Sequence, residues 1–460
     1  MQIKERNVAA LKIALSRQVD IALDMLNNCG FEAYAVGGCI RDSLLNITPH
    51  DWDICTNALP QQILSVFDGF KTATAGIKHG TVAVLIEGEP IEITTYRIDG
   101  EYADNRRPES VSFTSQLSED LSRRDFTVNA MAYSKSMGFV DIFGGAEDLR
   151  KKLIRCVGSP DLRFGEDALR IVRAVRFAAQ LNFKIESQTH LSILKNKGLL
   201  NNIAVERIRA EFDRLICSSG AVEVLDSYRE VIAVFIPDIV PMFGFEQNNP
   251  HHCYDVWRHT LASIANAETN LLLRLSLFFH DIGKPHSYSS DSKGIGHFYG
   301  HSKISADITE QAMRRLKYDN AAIQTVVLLV KLHDVQFDCE PKAIKHWLNK
   351  IGEQNLRLLL KIKICDNLAQ HPDYRERAKK AKECELLLDG IIKQNDCFCL
   401  KQLAATGGDL INIGMQQGKA VGEMLNILLQ KVIDGECEND KEKLLALAKK
   451  ILNENGCFNS

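Results

Sequence analysis

A chain of 460 residues, 45% hydrophobic and 25% charged, is that of a globular protein too long for one core, and by length it should hold about three domains. No run of about 18 uncharged apolar residues occurs and the N-terminus MQIKERNVAALKIAL lacks a cleavable-signal pattern, so no membrane span is expected and the default location is the cytoplasm. The formal net charge of −3 excludes a global basic field, so any nucleic-acid partner must be held by local arginine and lysine patches.

Thirteen cysteines, an odd number without a C-x-x-C pair, point to reduced thiols rather than a disulfide frame or a thiolate zinc site. Residues 5–29 have the apolar spacing of a helix, stopped at Gly30. Tyr34, Ala35 and Val36 read as a short buried strand, Gly37-Gly38 as a tight turn and Ile40–Leu45 as a helix start. Orphan amides at such a helix start face an anion, and Arg41 adds a bidentate donor. The spacing places Asp51-Trp52-Asp53 on a second strand, where alternation sends both carboxylates to one face. Two hard oxygen ligands beside a phosphate-sized loop suit Mg²⁺, which binds through one or two carboxylates plus substrate phosphates. A Gly-Gly turn alone is ordinarily a turn, and an Asp-x-Asp alone a solvated strand end; their conjunction, with an arginine between them, points to nucleotidyl transfer.

Strands at 82–86, 91–98 and 139–145 extend this part into a mixed sheet with a few helices. Glu92 is a candidate third carboxylate, with a salt bridge to Arg97 or plain solvation as alternatives. The charged run 97–113 reads as a surface loop long enough to close over a nucleotide. Within SEDLSRRDFTVNAMAY, Arg123, Arg124 and Asp125 precede an apolar run. Arg124 and Asp125 can hold a phosphate and a ribose hydroxyl together, or form an exposed cluster at a helix start.

Beyond Gly158 strand signals nearly vanish and helical segments follow to residue 454, which makes the chain α+β. Asp167, Arg170, Arg173 and Arg176 recur every third residue on a predicted helix, 166–181. An ordinary solvated pair of this kind contributes well under about 1 kcal/mol. The functional alternative is base reading, because cytosine and adenine each show an exocyclic amino donor beside a ring-nitrogen acceptor. A carboxylate accepting from the amino group, next to a guanidinium donating to the ring nitrogen, fits both and rejects uracil and guanine. Arg173 and Arg176 would then face the triphosphate. The Pro-, Gly- and Asn-rich stretch 236–252 reads as a boundary, and His371-Pro372 as a softer one.

The run GGCIRDSLL, the DWD pair, RRDFTVNA, DIFGG, EDALRIVRAVRF and VERIRAEF stand in the order and spacing of the motifs of bacterial class II CCA-adding enzymes, tRNA nucleotidyltransferases related to bacterial poly(A) polymerases, which this part of the chain resembles. The resemblance covers about residues 30–215. It implies that Asp51 and Asp53 hold catalytic Mg²⁺, that Gly38 and Arg41 touch the nucleotide, that Arg124 and Asp125 fall in the ribose motif, and that Asp167 and Arg170 pair with the base of CTP or ATP. tRNA is the implied acceptor. An enzyme adding only the A, or a poly(A) polymerase, is the nearest rival; the run Asp104–Arg107 argues against a CC-only enzyme.

Farther on, His259, the adjacent His280 and Asp281, and Asp366 occur in the order of the HD metal-dependent phosphohydrolases, which this part resembles. His301 and His333 are further candidates that would raise the site to two metals. Imidazole with carboxylate suits Ni²⁺, Co²⁺ or Mn²⁺. HD domains attached to CCA-adding enzymes include phosphatases and 2′,3′-cyclic phosphodiesterases, and some members keep the fold without hydrolysis. An HD hydrolase with a merely RNA-binding head is the rival from another class. The expected organisation is a nucleotidyltransferase head over 1–157, a helical neck over 158–235, an HD body over 236–371 and a helical tail over 372–460.

Overall fold

The computed structural model describes residues 12–100, 111–336 and 338–454. Residues 5–11 of the expected first helix and 101–110 of the expected closing loop, with Asp104 to Arg107, lie outside them. Two compact units divide the chain, Met1–Pro237 and Asp238–Ser460.

In the first unit, helix α1 (Arg17–Asn28) begins at Ser16, whose hydroxyl accepts the Val19 amide, and buries Val19, Ala22, Leu23 and Leu26. Residues 12–16 are not helical, so the helix starts later than the apolar spacing predicts; the serine cap fixes the start. Gly30 takes the left-handed φ of 84° just past the helix end.

A seven-stranded mixed sheet then forms in the order β3-β4-β5-β2-β1-β8-β9. In chain order the elements are β1 (Ala33–Val36), α2 (Gly38–Leu44), β2 (Asp53–Thr56), α3 (Pro60–Val66), β3 (Lys71–Ala73), β4 (Thr81–Ile86) and β5 (Glu89–Thr95). The small pair β6 (Arg97–Asp99) and β7 (Val111–Phe113), helix α4 (Leu117–Ser122), β8 (Ala132–Ser134), β9 (Gly138–Val140) and α5 (Gly145–Lys151) follow. The β2–β5 pairing is parallel and the other pairings of this sheet are antiparallel. The strand predicted over 139–145 stops at Val140, because the Asp141 carboxylate accepts the Gly145 and Ala146 amides at 2.7 and 2.9 Å and starts α5 instead.

Register decides where the chemistry sits. Asp53 lies opposite Val36 on β1 and opposite Glu92 on β5. The Gly37-Gly38 turn leaves β1 immediately after Val36, so it emerges beside the Asp53 carboxylate. Ile54, Cys55 and Thr56 of the same strand are fully buried and anchor that end of the sheet. Asp51 precedes β2 rather than lying on it, since the ladder starts at Asp53.

The rest of this unit is helical apart from the short parallel pair β10 (Leu153–Ile154) and β11 (Lys184–Ile185). Its helices are α6 (Pro160–Glu166), α7 (Leu169–Leu181), α8 (Ser187–Asn196), α9 (Val205–Ile216), α10 (Ala221–Ser227) and α11 (Arg229–Phe235). The single helix predicted over 166–181 is broken at Asp167, which is extended at φ −133°, ψ 101° and accepts the Leu169 amide at 3.1 Å. Asp167 therefore stands off the helix that carries Arg170, Arg173 and Arg176.

The second unit contains α12 (Val256–Ala265), α13 (Leu271–Phe279), α14 (Lys284–Ser287), a two-strand ribbon of β12 (Ser289–Ser290) and β13 (Gly296–His297), α15 (His301–Arg315) and α16 (Asn320–Leu332). It continues through α17 (Pro341–Ile351), α18 (Glu353–Leu368), α19 (Glu376–Lys393), α20 (Gly407–Asn412), α21 (Lys419–Ile433) and α22 (Lys441–Glu454). The last helices close a separate apolar cluster around Leu410, Leu428, Leu429, Leu444 and Ala448. Among the described residues no helix is long and apolar enough to cross a membrane.

Candidate active site and a second histidine cluster

A cavity of about 950 Å³ in the first unit is lined by Gly37, Gly38, Arg41, Asp51, Asp53, Arg124, Asp125, Asp167, Arg170, Arg173 and Arg176. Each of these but Gly37 is a site residue by sequence pattern, and the fold gathers them although they span more than a hundred positions. Gly37 adopts φ 88°, and a Cβ there would stand 3.2 Å from the Arg124 guanidinium, so glycine serves both the turn and the close approach. Arg41 is buried; its Nη1 donates to Asn129 Oδ1 at 2.7 Å and its Nε to Asp42 at 2.8 Å. Asn129 in turn donates to Asp125 at 3.0 Å, which ties the glycine-turn helix to the Arg124-Asp125 segment.

Asp53 is partly desolvated within this concavity, and Glu92 and Asp51 add negative charge, which together raise its pKa although Arg124 opposes the shift. A divalent cation relieves this concentration of anions, and the hard oxygen donors suit one. Arg124 offers the nearest compensating charge. Burial works against its charge, but Asp120 and Asp53 outweigh that and hold its pKa up. Arg124 Nε is buried without a partner, a free donor in the cavity wall.

Burial disfavours the Asp125 carboxylate, but Arg173 and the Asn129 amide more than offset this and bring it down to about 2. Arg173 grips Asp125 Oδ2 with Nη2 at 2.7 Å and reaches Glu211 on α9. Arg176 pairs with Glu211, donates to Gln180 at 2.6 Å and lies 3.7 Å over the Phe177 ring. Both arginines are engaged within the protein as well as facing the cavity. The Arg170 amide donates to the Asp167 carbonyl at 3.0 Å, while their side chains have other partners: the Asp167 carboxylate is held by Arg207 at 3.0 Å, and the Arg170 guanidinium by Glu166 at 2.5 Å and by the Arg123 carbonyl at 2.8 Å.

Arg214, Gln180 and Ser218 also line the cavity outside the sequence motifs, as does Asn129, which lies within RRDFTVNA without being singled out. Arg207 and Glu211 lie within the VERIRAEF motif, and Arg214 follows at helical spacing on α9, the signal that could have found its contribution.

The second unit draws His259, His280, Asp281, His301 and His333 into a buried cluster, with half-buried Asp366 at its edge. His259 and His280 with Asp281 form one set of converging ligand atoms; Asp281 with His301 and His333 forms another. His259 Nε2 is 2.9 Å from Asp366 Oδ1 and 3.4 Å from Asp281 Oδ2. Nδ1 of His280, His301 and His333 points at a backbone carbonyl, Leu277, Phe298 and Val330 in turn, at 2.7, 2.8 and 2.6 Å. A carbonyl only accepts, so each Nδ1 carries the proton and each ring, when neutral, presents a bare Nε2. His301 Nε2 and His333 Nε2 face each other at 3.1 Å, and His280 Nε2 is buried without a hydrogen-bond partner. Lone pairs aimed at one another repel unless a proton or another cation lies between them. Burial opposes ionisation of Asp281, but His280 and Lys284, whose Nζ is 2.7 Å away, hold it well below the usual carboxylate range. The cluster opens onto a cavity of about 310 Å³, lined also by His252, Lys284, Tyr299 and Arg377, none of which the sequence marks as a ligand.

A glycine turn set beside strand-borne carboxylates on a mixed sheet, walled by arginines, defines a nucleotidyltransferase head, and residues 33–155 match the family described as the poly A polymerase head domain. Residues 182–239 match a probable RNA and SrmB-binding site of polymerase A, and 289–448 a putative tRNA nucleotidyltransferase domain 2. The chain is 32% identical over 449 residues to the CCA-adding enzyme of Ligilactobacillus salivarius, covering 94% of this chain and 96% of that one. The crystal structure of the Bacillus stearothermophilus CCA-adding enzyme in complex with CTP superposes with a TM-score of 0.71 at 28% identity, over 96% of this chain and 98% of that one. The Thermotoga maritima CCA-adding enzyme complexed with tRNA shares the fold at a TM-score of 0.58 and 20% identity, over 95% and 96% of the two chains. The chain belongs to the CCA-adding enzyme family of tRNA nucleotidyltransferases.

Proposed function

We propose that the protein adds C, C and A to the 3′ end of tRNA from CTP and ATP without a nucleic-acid template. The observation that carries this reading is the single cavity in which the Gly37-Gly38 turn, Asp51, Asp53 and the arginine wall meet. Asp51 and Asp53 would hold Mg²⁺, which when bound offsets charge on the α-phosphate and favours the ionised 3′-hydroxyl. Gly38 and Arg41 cradle the phosphates, and Arg124 and Asp125 place the ribose. Asp167 accepts from the exocyclic amino group of cytosine or adenine while Arg170 donates to the ring nitrogen. Arg173 and Arg176 give the wall its positive potential, and their pairing with Asp125 and Glu211 makes it rigid. Positioning and electrostatics do most of the work in such a transfer. The free cysteines among the described residues accord with a cytoplasmic location.

Incubating the protein with tRNA lacking its 3′ end tests the reading. CTP alone should add two residues, ATP alone none, and both together the full triplet. Long adenylate tails from ATP alone would make it a poly(A) polymerase, and addition confined to tRNA already ending in CC an A-adding enzyme.

A second reading concerns the histidine cluster, favoured by the facing His301 and His333 nitrogens. His259, His280, Asp281 and Asp366 would hold a transition metal such as Ni²⁺, Co²⁺ or Mn²⁺, with His301 and His333 completing a second position on Asp281. The site would act as an HD-type phosphohydrolase: water adds to phosphorus, the ester P–O bond breaks, and the alcohol leaves with a proton.

A further inference from the structure

Tyr299 is 78% exposed, yet it is not a loose surface ring. It stacks on His297 with centroids 5.4 Å apart and planes only 9° from parallel, and both rings line the cavity above the histidine cluster. The chain beneath them is fixed. His297 closes the β12–β13 ribbon opposite Ser289, and its Nε2 lies 3.3 Å from Asp291. Gly296 is clamped against 247–249: its amide donates to the Asn248 carbonyl at 2.8 Å, its own carbonyl accepts from Asn249 at 2.9 Å, and a Cβ would stand 2.2 Å from the Gln247 oxygen. Gly300, at φ 73°, then turns the chain so that the very next residue, His301, points into the cluster. Phe298 between the two rings also lines this cavity and packs on Tyr288 and on buried Lys284.

One short segment thus supplies a ligand atom at the cavity floor and a flat aromatic plane at its mouth. Lys284 and Arg377 add positive charge to the same cavity. A phosphate needs only the floor and the cations; an exposed, pre-stacked plane has use for a second flat ring. We propose that the Tyr299–His297 stack is a base platform, so that this cavity selects phosphate esters of a nucleoside over esters that carry no base. The inference rests on the hydrolytic reading of the cluster and names its substrate class.

The test uses the full chain loaded with Mn²⁺, Co²⁺ or Ni²⁺ in turn, with adenosine 3′-phosphate and glycerol 3-phosphate as probes. Tyr299→Ala should raise KM for adenosine 3′-phosphate about tenfold, within the range that base–aromatic stacking supplies, with kcat little changed. Tyr299→Phe should restore it, and KM for glycerol 3-phosphate should stay at the wild-type value in both variants. Equal effects on the two esters, or none, overturn the platform. Photolabelling with 8-azidoadenosine 3′-phosphate and peptide mapping separates the two layers. A label on 297–299 from a protein that hydrolyses neither ester keeps the platform and removes the hydrolytic reading, whereas a label elsewhere removes the platform.

Discussion

The head cavity and the histidine cluster both bring together side chains of the kind that bind cations, but they do so in opposite ways. In the head, Asp51 and Asp53 stand at the open mouth of a large cavity and the surrounding arginines are already paired with protein acids. In the second unit the ligand set is buried, and three imidazoles already have their protons placed by backbone carbonyls. Two exposed carboxylates leave most of a coordination sphere to water and substrate phosphate, so a metal held there would arrive with the nucleotide. On the reading proposed above, a buried set with its tautomers fixed would keep its metal between turnovers.

This contrast is broken or sharpened most strongly by His280→Ala. That variant should lose all phosphohydrolase activity and most of the bound transition metal, read by plasma mass spectrometry, while CCA addition proceeds at the wild-type rate. Collapse of both activities together would mean that the two sites are not separate. Dialysis against a chelator should come next in effect. Readdition of Mg²⁺ alone should recover nucleotide addition fully, whereas hydrolysis should need a transition metal.

Arg170→Ala acts within the head alone. It should lower the preference for CTP and ATP over UTP and GTP by about tenfold, the loss of one arm of the two-point base contact, with a smaller loss of overall rate. Unaltered selectivity would count against the Asp167–Arg170 reading. The smallest effect is the acid stability of the first unit. Asp125 titrates at about 2, below its unfolded value of about 3.9, so its contribution is complete above pH 4 and is lost as the pH falls toward 2. Asp120 shifts in the same direction; burial opposes it, and Arg124 and Arg123 prevail. Acid melts should lose about 2 kcal/mol through Asp125 over that interval, and Asp125→Asn should flatten the loss.

Much of the head was legible because its chemistry is local. Gly37, Gly38 and Arg41 fall within five residues, and Asp51 and Asp53 follow close behind, so one short stretch announces the cavity. The helix break at Asp167 was not legible, because periodicity counts spacing and does not see a side chain capping its own neighbour's amide. Asp51 preceding its strand was missed for a related reason: the ladder begins where β1 and β5 offer partners, a long-range fact. The histidine cluster needed ligands from five separate stretches, yet the His280-Asp281 pair marked it. Tyr299 and Arg377 carry no spacing signal at all, and only folding brings them to the same cavity.

The head's central claim is that a carboxylate pair beside the glycine turn drives transfer to tRNA. Single-turnover addition of labelled CTP by Asp51→Ala, measured beside its affinity for tRNA, tests it most directly. Addition should fall by about 10³-fold or more, since several kcal/mol of transition-state stabilisation is lost, while tRNA binds as before. Wild-type addition by that variant would contradict the claim.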